Sequence, residues 1–537
     1  MKLPQELKLP KKFTAWRPGQ GELIEKIAHS AAKVFLLDAP TGTGKTLLSI
    51  GVHQSRVLSK TSKEVLARLS GKPMSSYDYK CVFVTRTKQL QKQILEEFPA
   101  TRSIKGRNNY ICMKHQNEFP EFTAADCNNT ADSCPDCPYR LAKKEALRAP
   151  VAVLNTSYFL AEANGPGQFR DADLLVIDEC DQLENELLSH IQLKITAKQL
   201  SRLHLELPKD PHSLQGWLVW ADQISATLNN SIVVLGAQLD LIAEEEWTDI
   251  EIAQNKQAGR LRNFRDKLRM FVGDVNDSWL FSEEESKEKQ ETTWIFKPVR
   301  VDAYAERYLW RHAKRFLGMS GTILDPEIMA ADLGIEEWEY DRTESPFPVV
   351  NRPIYYQPVA NLTYKNQALE LPKLAQAVAE IMDRYPEDKI LVHTTSFFIR
   401  DYLMRNLNTG RIISHDSFNR ADQLEKFRRT PDPAVMLSPS FDRGVSLDND
   451  LCRCVIICKV PFISLADPQV KARMKMPGGE RWYLLKAAQT IVQMSGRGVR
   501  SVNDYCDCFI LDKQFGSLLN RMRQYFPQWW RDAIRRD

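Results

Sequence analysis

The stretch Lys33–Thr46, KVFLLDAPTGTGKT, decides how this 537-residue chain is read. Its unbroken apolar run, VFLL, is the pattern of a strand covered on both faces. The run ends at Asp38 and passes directly into DAPTGTGKT. Gly42 and Gly44 allow a tight turn at the start of a helix, where backbone N–H groups converge on a phosphate chain. In such a loop Lys45 reaches the β- and γ-phosphates, the Thr46 hydroxyl serves Mg²⁺, and Thr41 and Thr43 complete the cradle. The strict pattern opens with glycine, and here that position is Ala39. The loop implies nucleotide chemistry without choosing among kinases, GTPases, transport ATPases and helicases.

A second stretch narrows the choice. LLVIDECD (174–181) is an apolar strand ending in two acids. Asp178 suits Mg²⁺ coordination and Glu179 suits activation of an attacking water. Further apolar runs are KCVFVT (80–85), VAVLN (151–155), KILVHT (389–394), AVMLS (434–438), CVIICKV (454–460) and CDCFILD (506–512). Helical patterns lie between some of them: in LPKLAQAVAEIMDRY (371–385), Leu374, Val378, Ile381, Met382 and Tyr385 share one face. Strand and helix in alternation predict a parallel α/β fold. The runs fall into two groups, before 180 and after 388, which predicts two α/β domains. Between about 186 and 300 the chain is helix-like, with acidic clusters at Glu244–Glu246 and Glu283–Glu285, and reads as a helical insertion.

Composition sets the outer bounds. At 43% hydrophobic and 26% charged, the chain is neither a disordered tail nor a disulfide-stapled scaffold. No apolar run approaches the ~18–20 residues of a membrane helix, and MKLPQELKLPKKF lacks the apolar core of a secretion signal. A cytoplasmic or nucleoid-associated protein without membrane contact is the expectation. Lys plus Arg number 73 against 69 Asp plus Glu, so any nucleic-acid surface must be local.

Four of the eleven cysteines, Cys112, Cys127, Cys134 and Cys137, fall within 26 residues as C-x14-C-x6-C-x2-C. Four thiolates suit zinc or an iron–sulfur cluster, and the spacing leaves both open. Cys180, Cys452, Cys454, Cys458, Cys506 and Cys508 read as packing residues. Lys105, Arg107 and Tyr110 precede the first clustered cysteine, mixing cations with a ring as single-strand binding does. Asp126 and Asp136 nearby fit an ordinary solvated surface equally well.

In order and spacing, these motifs resemble superfamily 2 helicases of the XPD/DinG type, which carry an iron–sulfur cluster. AWRPGQ (15–20), with Arg17 and Gln20, is similar to the family's adenine-reading segment. VFVTRTKQLQKQ (82–93) resembles motif Ia, KGRNNYIC (105–112) the entry to the cluster domain, and CPYRLAKKEAL (137–147) its exit. FLGMSGTI (316–323), SPFP (345–348), NRP (351–353), LCRCVIICKVPFISLADPQVKAR (451–473) and QMSGRGVRS (493–501) are similar to further family signatures. The resemblance implies two RecA-like parallel-sheet motor domains with two insertions. The first motor domain would take residues 1–104, 141–188 and 301–328, and the second 329–537. An iron–sulfur cluster domain would occupy 105–140 and a helical arch 189–300.

It further implies ATP and Mg²⁺ between the motor domains and a 4Fe-4S cluster on the four clustered cysteines. Gln493 would act as a sensor, and Arg497 and Arg500 as arginine fingers; without the resemblance, a solvated basic helix face explains these arginines as well. Thr85, Arg86, Lys88, Lys105, Arg107 and Tyr110 would track nucleic acid. The implied activity is 5′→3′ movement on single-stranded DNA and unwinding of forked or 5′-tailed duplexes by a monomer, with the helical insertion open to a protein partner. The alternative is a nucleic-acid-stimulated ATPase that remodels protein–DNA or RNA complexes without productive unwinding. Two departures bear on coupling. Asp181 stands where the family has His, and Arg443-Gly444-Val445-Ser446 replaces Glu-Gly-Val-Asp.

Overall fold

The computed structural model describes residues 2–69, 79–86, 88–114, 116, 119–127, 134, 136–243, 247–286, 291–442, 445 and 447–536, without the side chains of 62–69, 88–89, 286 and 536. Strands β1 (Val34–Asp38), β2 (Cys81–Thr85), β3 (Thr101–Ser103), β4 (Val151–Asn155) and β5 (Leu174–Asp178) precede an insertion holding β6 (Leu193–Thr196), β7 (Trp279–Ser286) and β8 (Glu291–Pro298). The chain returns for β9 (Phe316–Ser320) and β10 (Trp338–Arg342). It then builds β11 (Ile354–Ala360), β12 (Ile390–His393), β13 (Ile412–Ser414), β14 (Val435–Ser438), β15 (Cys454–Ile457), β16 (Asp507–Asp512) and β17 (Ile534–Arg536).

Two parallel sheets result, ordered β10–β1–β9–β5–β2–β4–β3 and β13–β14–β12–β15–β16–β11–β17. Parallel pairing requires crossovers that cover both faces, which is why the strands are apolar throughout. All five residues of β1 are buried: Val34 and Leu36 enter one core, Phe35 and Leu37 the other. Register then does the functional work. Asp38 pairs with Ser320 on one side of β9, and Asp178 with Met319 on the other, so three motif ends emerge at one sheet edge. That edge, outside the carboxyl ends of the strands, is where open parallel sheets bind ligands.

Two features differ from the sequence expectation. β10 pairs with β1, from Val34↔Trp338 to Asp38↔Arg342, so the first motor domain extends past the boundary expected at 328. WEYDR is a half-buried edge strand, and its polar composition hides it from a search for apolar runs. The insertion is not purely helical either. Its two long helices, Leu214–Leu239 and Asp249–Asp274, are joined by an antiparallel sheet ordered β6–β8–β7. Trp217, Trp294, Phe271 and Phe296 lock helices and sheet together, with ring centroids 5.1–5.5 Å apart. Glu283–Glu285 lie on β7, while Glu244–Glu246 fall outside the described residues. At its far end the arch touches the cysteine-bearing segment. Ile252 packs with Cys112, Phe122 and Cys127, and Asn255 Nδ2 donates to the Asp126 carbonyl at 2.5 Å. Among the described residues, no helix is long and apolar enough to cross a membrane.

The two motor sheets are tied by charge. Arg473, on the helix Pro468–Met474 of the second domain, is 3% exposed and pairs with both Glu184 and Asp332 of the first. Lys486 reaches Glu184 at 3.0 Å, and Arg481 reaches Asp325 at 2.6 Å. Burial alone would push Glu184 up, but Lys486 and Arg473 hold it well below the usual carboxylate range. Removing Arg473 leaves Asp332 buried without its counter-ion and Glu184 with Lys486 alone, so Arg473→Ala should cost about 3–5 kcal/mol, read as a lower thermal or denaturant midpoint. An unchanged midpoint would show the cluster to be solvated.

Candidate active site

A cleft of about 650 Å³ lies between the two sheets, lined from the first domain by Arg17, Gln20, Thr41, Gly42, Gly44, Lys45, Thr46, Asp178 and Glu179 and from the second by Gln493, Arg497 and Arg500. The sequence-predicted nucleotide residues therefore converge, with one exception. Thr43 is absent from the lining; its hydroxyl donates back to the Pro40 carbonyl at 2.8 Å.

The loop takes its shape from two glycines in the left-handed region, Gly42 (φ +89°) and Gly44 (φ +77°). Gln20 anchors the base-reading segment to it: its Nε2 donates to the Thr43 carbonyl at 3.2 Å, and its Oε1 accepts from the Arg17 N–H at 3.2 Å. Lys45 starts the helix Lys45–Leu69, and its Nζ donates to the carbonyls of Ala39 (2.9 Å) and Pro40 (3.3 Å). Burial pulls the Lys45 pKa down while Asp178 pulls it up. Asp178 ends β5, is 7% exposed, and has an Oδ1 without a hydrogen-bond partner. Burial pushes its pKa up to about 6 against the pull of Lys45. A buried, unbonded carboxylate oxygen and the Thr46 hydroxyl, both in the cleft lining, are a donor set that fits a hard divalent cation. Glu179 follows at φ 53°, a left-handed conformation that costs a non-glycine residue about 1–3 kcal/mol and is found where the surroundings hold a functional group in place.

The second domain reaches across. Arg500 Nη1 donates to Thr41 Oγ1 at 3.2 Å. Arg497 is held behind it, donating to the Val445 carbonyl at 2.7 Å and to Gln493 Oε1 at 3.0 Å. Gln493 Nε2 in turn donates to Thr322 Oγ1 at 2.7 Å, and Gln489 Nε2 to the Thr322 carbonyl at 2.9 Å. Asp181 is 3% exposed and accepts from the Ser320 hydroxyl at 2.6 Å, so the acidic box and the SGT segment are joined without a histidine. Arg443, Gly444 and Ser446 fall outside the described residues. Phe347, Arg352 and Trp529 also line the cleft, and sequence reading had no role for them there. SPFP and NRP marked two of these positions without revealing that they face the loop. Trp529, which carries the Arg352 guanidinium 5.1 Å from its ring, left no signal.

The nucleic-acid candidates are placed unevenly. Thr85 is 1% exposed at the end of β2. Arg86 forms an ion pair with Glu186 at 2.8 Å, and its carbonyl accepts from Asn155 Nδ2. The Lys88 side chain is outside the described residues. Lys105 donates its backbone N–H to the Tyr110 hydroxyl at 3.1 Å, and Tyr110 packs edge-on against Tyr139 at 5.6 Å. Tyr110 is thus half-buried packing more than an open stacking platform. Arg107, exposed, donates to the Cys127 carbonyl at 2.6 Å.

None of Cys112, Cys127, Cys134 and Cys137 is in a disulfide among the described residues. Backbone bonds hold their segments together: Cys112 N–H to Phe122 O, Ala124 N–H to Tyr110 O, and Cys137 N–H to Cys134 O. As a donor set, four cysteine thiols fit an iron–sulfur cluster or zinc. Among the described residues, no three His, Cys, Asp or Glu side chains already form a metal-binding group.

Residues 378–533 match the family described as helicase C-terminal domain, and residues 13–205 match the type III restriction enzyme res subunit. The chain is 22% identical to the ATP-dependent DNA helicase YoaA of Escherichia coli (strain K12), over 95% of this chain and 94% of that protein. It is 23% identical to the ATP-dependent DNA helicase XPD of Sulfolobus acidocaldarius, over 94% and 96%. A solved XPD helicase structure aligns with 97% of this chain and 99% of its own, at a TM-score of 0.63 and 18% identity. A second, apo XPD structure gives 0.61 and 17%.

The loop geometry is directly testable. A Cβ at Gly42 would lie 2.3 Å from Cζ of Phe347, on a backbone that side chains rarely adopt. Gly42→Ala should lose at least ~1–3 kcal/mol and weaken nucleotide binding, by thermal shift and by fluorescent-nucleotide titration. Wild-type binding in this variant would mean that the loop does not need its left-handed turn.

Proposed function

From the premise that the chain is a superfamily 2 helicase of the XPD/DinG type, we propose that it is an ATP-dependent DNA helicase that moves 5′→3′ on single-stranded DNA and opens forked or 5′-tailed duplexes. The observation that carries this reading is Arg500 meeting Thr41 across the cleft, because hydrolysis there requires both domains at once.

The chemistry follows from the side chains. Lys45 leaves its loop carbonyls for the β- and γ-phosphates. Thr46 and Asp178 would hold Mg²⁺, which would supply positive charge to the phosphates. Glu179, fixed by its backbone, orients the attacking water. Arg500 offsets charge developing on the transferred phosphoryl group, and Arg497 keeps Gln493 aimed at Thr322. Phosphoryl transfer is catalysed mainly by positioning and electrostatics, so a cleft complete only when the domains close couples hydrolysis to domain movement. The relay Asp181–Ser320 and Thr322–Gln493 gives that movement a path. Polarity rests on the resemblance, and the DNA substrate on the resemblance and on relatives named as ATP-dependent DNA helicases. Cys112, Cys127, Cys134 and Cys137 would hold the cluster, which ties together a segment of small core.

Lys45→Ala and Glu179→Gln should abolish DNA-stimulated ATP turnover; turnover surviving in both would overturn the reading. Arg500→Ala should lower kcat by about 10³–10⁵. The parent should open a 5′-tailed duplex and not a 3′-tailed one; the reverse preference would overturn the polarity. After anaerobic purification, iron and acid-labile sulfide should appear in equal amounts and be lost in Cys134→Ser, whereas a zinc-loaded protein would overturn the cluster.

A further inference from the structure

A second cavity, of about 580 Å³, opens at the root of the arch, between β6, the helix Ala197–Leu203 and the helix Asp249–Asp274. Its walls carry Lys194, Lys198, Arg202, Arg260 and Lys267 and no acid. The cations recur with helical spacing: Lys198 and Arg202 are four apart on one helix, and Arg260 and Lys267 seven apart on the other, so each pair shares a face. Among the described residues, the ion pairs of the longer helix belong to other positions, Lys256 with Asp126 and Arg265 with Asp266. Leu193, Leu203 and Phe264 form a buried apolar floor.

Lys267 is the most informative member. It is half-buried, and its Nζ donates to the His190 carbonyl at 2.6 Å. Burial pulls its pKa down, and burial together with Lys267 pushes that of His190 down to about 4, so the imidazole stays neutral. Its Nζ has a carbonyl acceptor, and no carboxylate lines the cavity beside it. Cations grouped in a concavity over an apolar floor focus their field on anions.

The cavity also has a defined neighbour. Glu186 and Ser189 are three apart on the helix Leu183–Ile191 and share a face. Glu186 holds Arg86, and Ser189 lines the cavity. Three residues of helix, a rise of ~4.5 Å, separate the two. We propose that this cavity is a phosphate-binding subsite for the backbone of single-stranded nucleic acid, receiving the strand next to Arg86. The assignment rests on the nucleic-acid motor reading above. A free polyphosphate would satisfy the same cations, so the test separates the two sources.

The full-length chain carrying Lys198→Ala, Arg202→Ala and Arg260→Ala together should be titrated with labelled oligothymidylate over a range of salt concentrations, with thermal unfolding confirming the fold. Binding should weaken, and the slope of log K against log salt should shrink by about 2, at ~0.7 per lost single-strand contact. An unchanged slope in a folded variant, while Arg86→Ala does weaken binding, overturns the subsite and leaves the motor reading standing. A parent chain that binds no oligothymidylate overturns the motor reading and the subsite with it. Calorimetric binding of tripolyphosphate that the triple variant loses, without change in oligothymidylate affinity, assigns the cavity to free polyphosphate and overturns the strand assignment.

Discussion

Arg473 holds a positive charge where water barely reaches, and Glu184 and Asp332 compensate it from the opposite domain. A buried ion cluster of this kind adds little net stability over an apolar contact of the same volume. What it adds is uniqueness of placement, because few positions of the second sheet satisfy both acids. Glu184 lies six residues beyond Asp178 in the chain, so the anchor of the second domain and the acidic end of β5 belong to one short stretch. The longer-range contacts of the cleft follow. Arg500 reaches Thr41, and Gln493 reaches Thr322, only with the second sheet in this position.

Within that frame the acidic box has found its own solution at Asp181. A carboxylate there accepts the Ser320 hydroxyl, and Ser320 also contacts Thr322 at 3.3 Å. The relay is short and buried, and leaving one of its members unsatisfied carries the ~1–3 kcal/mol cost of a stranded polar group. Histidine is therefore not the sole side chain able to join β5 to the SGT segment; a compact acceptor serves when a serine hydroxyl faces it.

Much of this architecture was legible in the sequence, for physical reasons. Strands covered on both faces must be apolar, so β1, β2, β5, β12 and β15 announced themselves. A phosphate cradle needs glycine where the backbone turns left-handed, so Gly42 and Gly44 were readable as well. The failures have causes as clear. WEYDR is an edge strand with polar sides, and in the β7–β8 pair β7 carries three glutamates among its eight residues. Thr85, expected to track nucleic acid, is buried at the end of β2, a strand covered on both faces. The basic cavity combines residues 189–203 with 260–267, a juxtaposition that exists only after the two arch helices pack.

Phe347 sits in the segment that joins the two domains, and its ring occupies the space a side chain at position 42 would need. Connector and phosphate loop thus compete for one volume. Such exclusion carries no charge and no directional bond, so neither ionic strength nor proton concentration weakens it appreciably. A side chain at position 42, or a shift of the loop toward the connector, would meet the Phe347 ring by steric contact alone. Connector and loop are therefore matched by shape as well as by the polar contacts of the cleft.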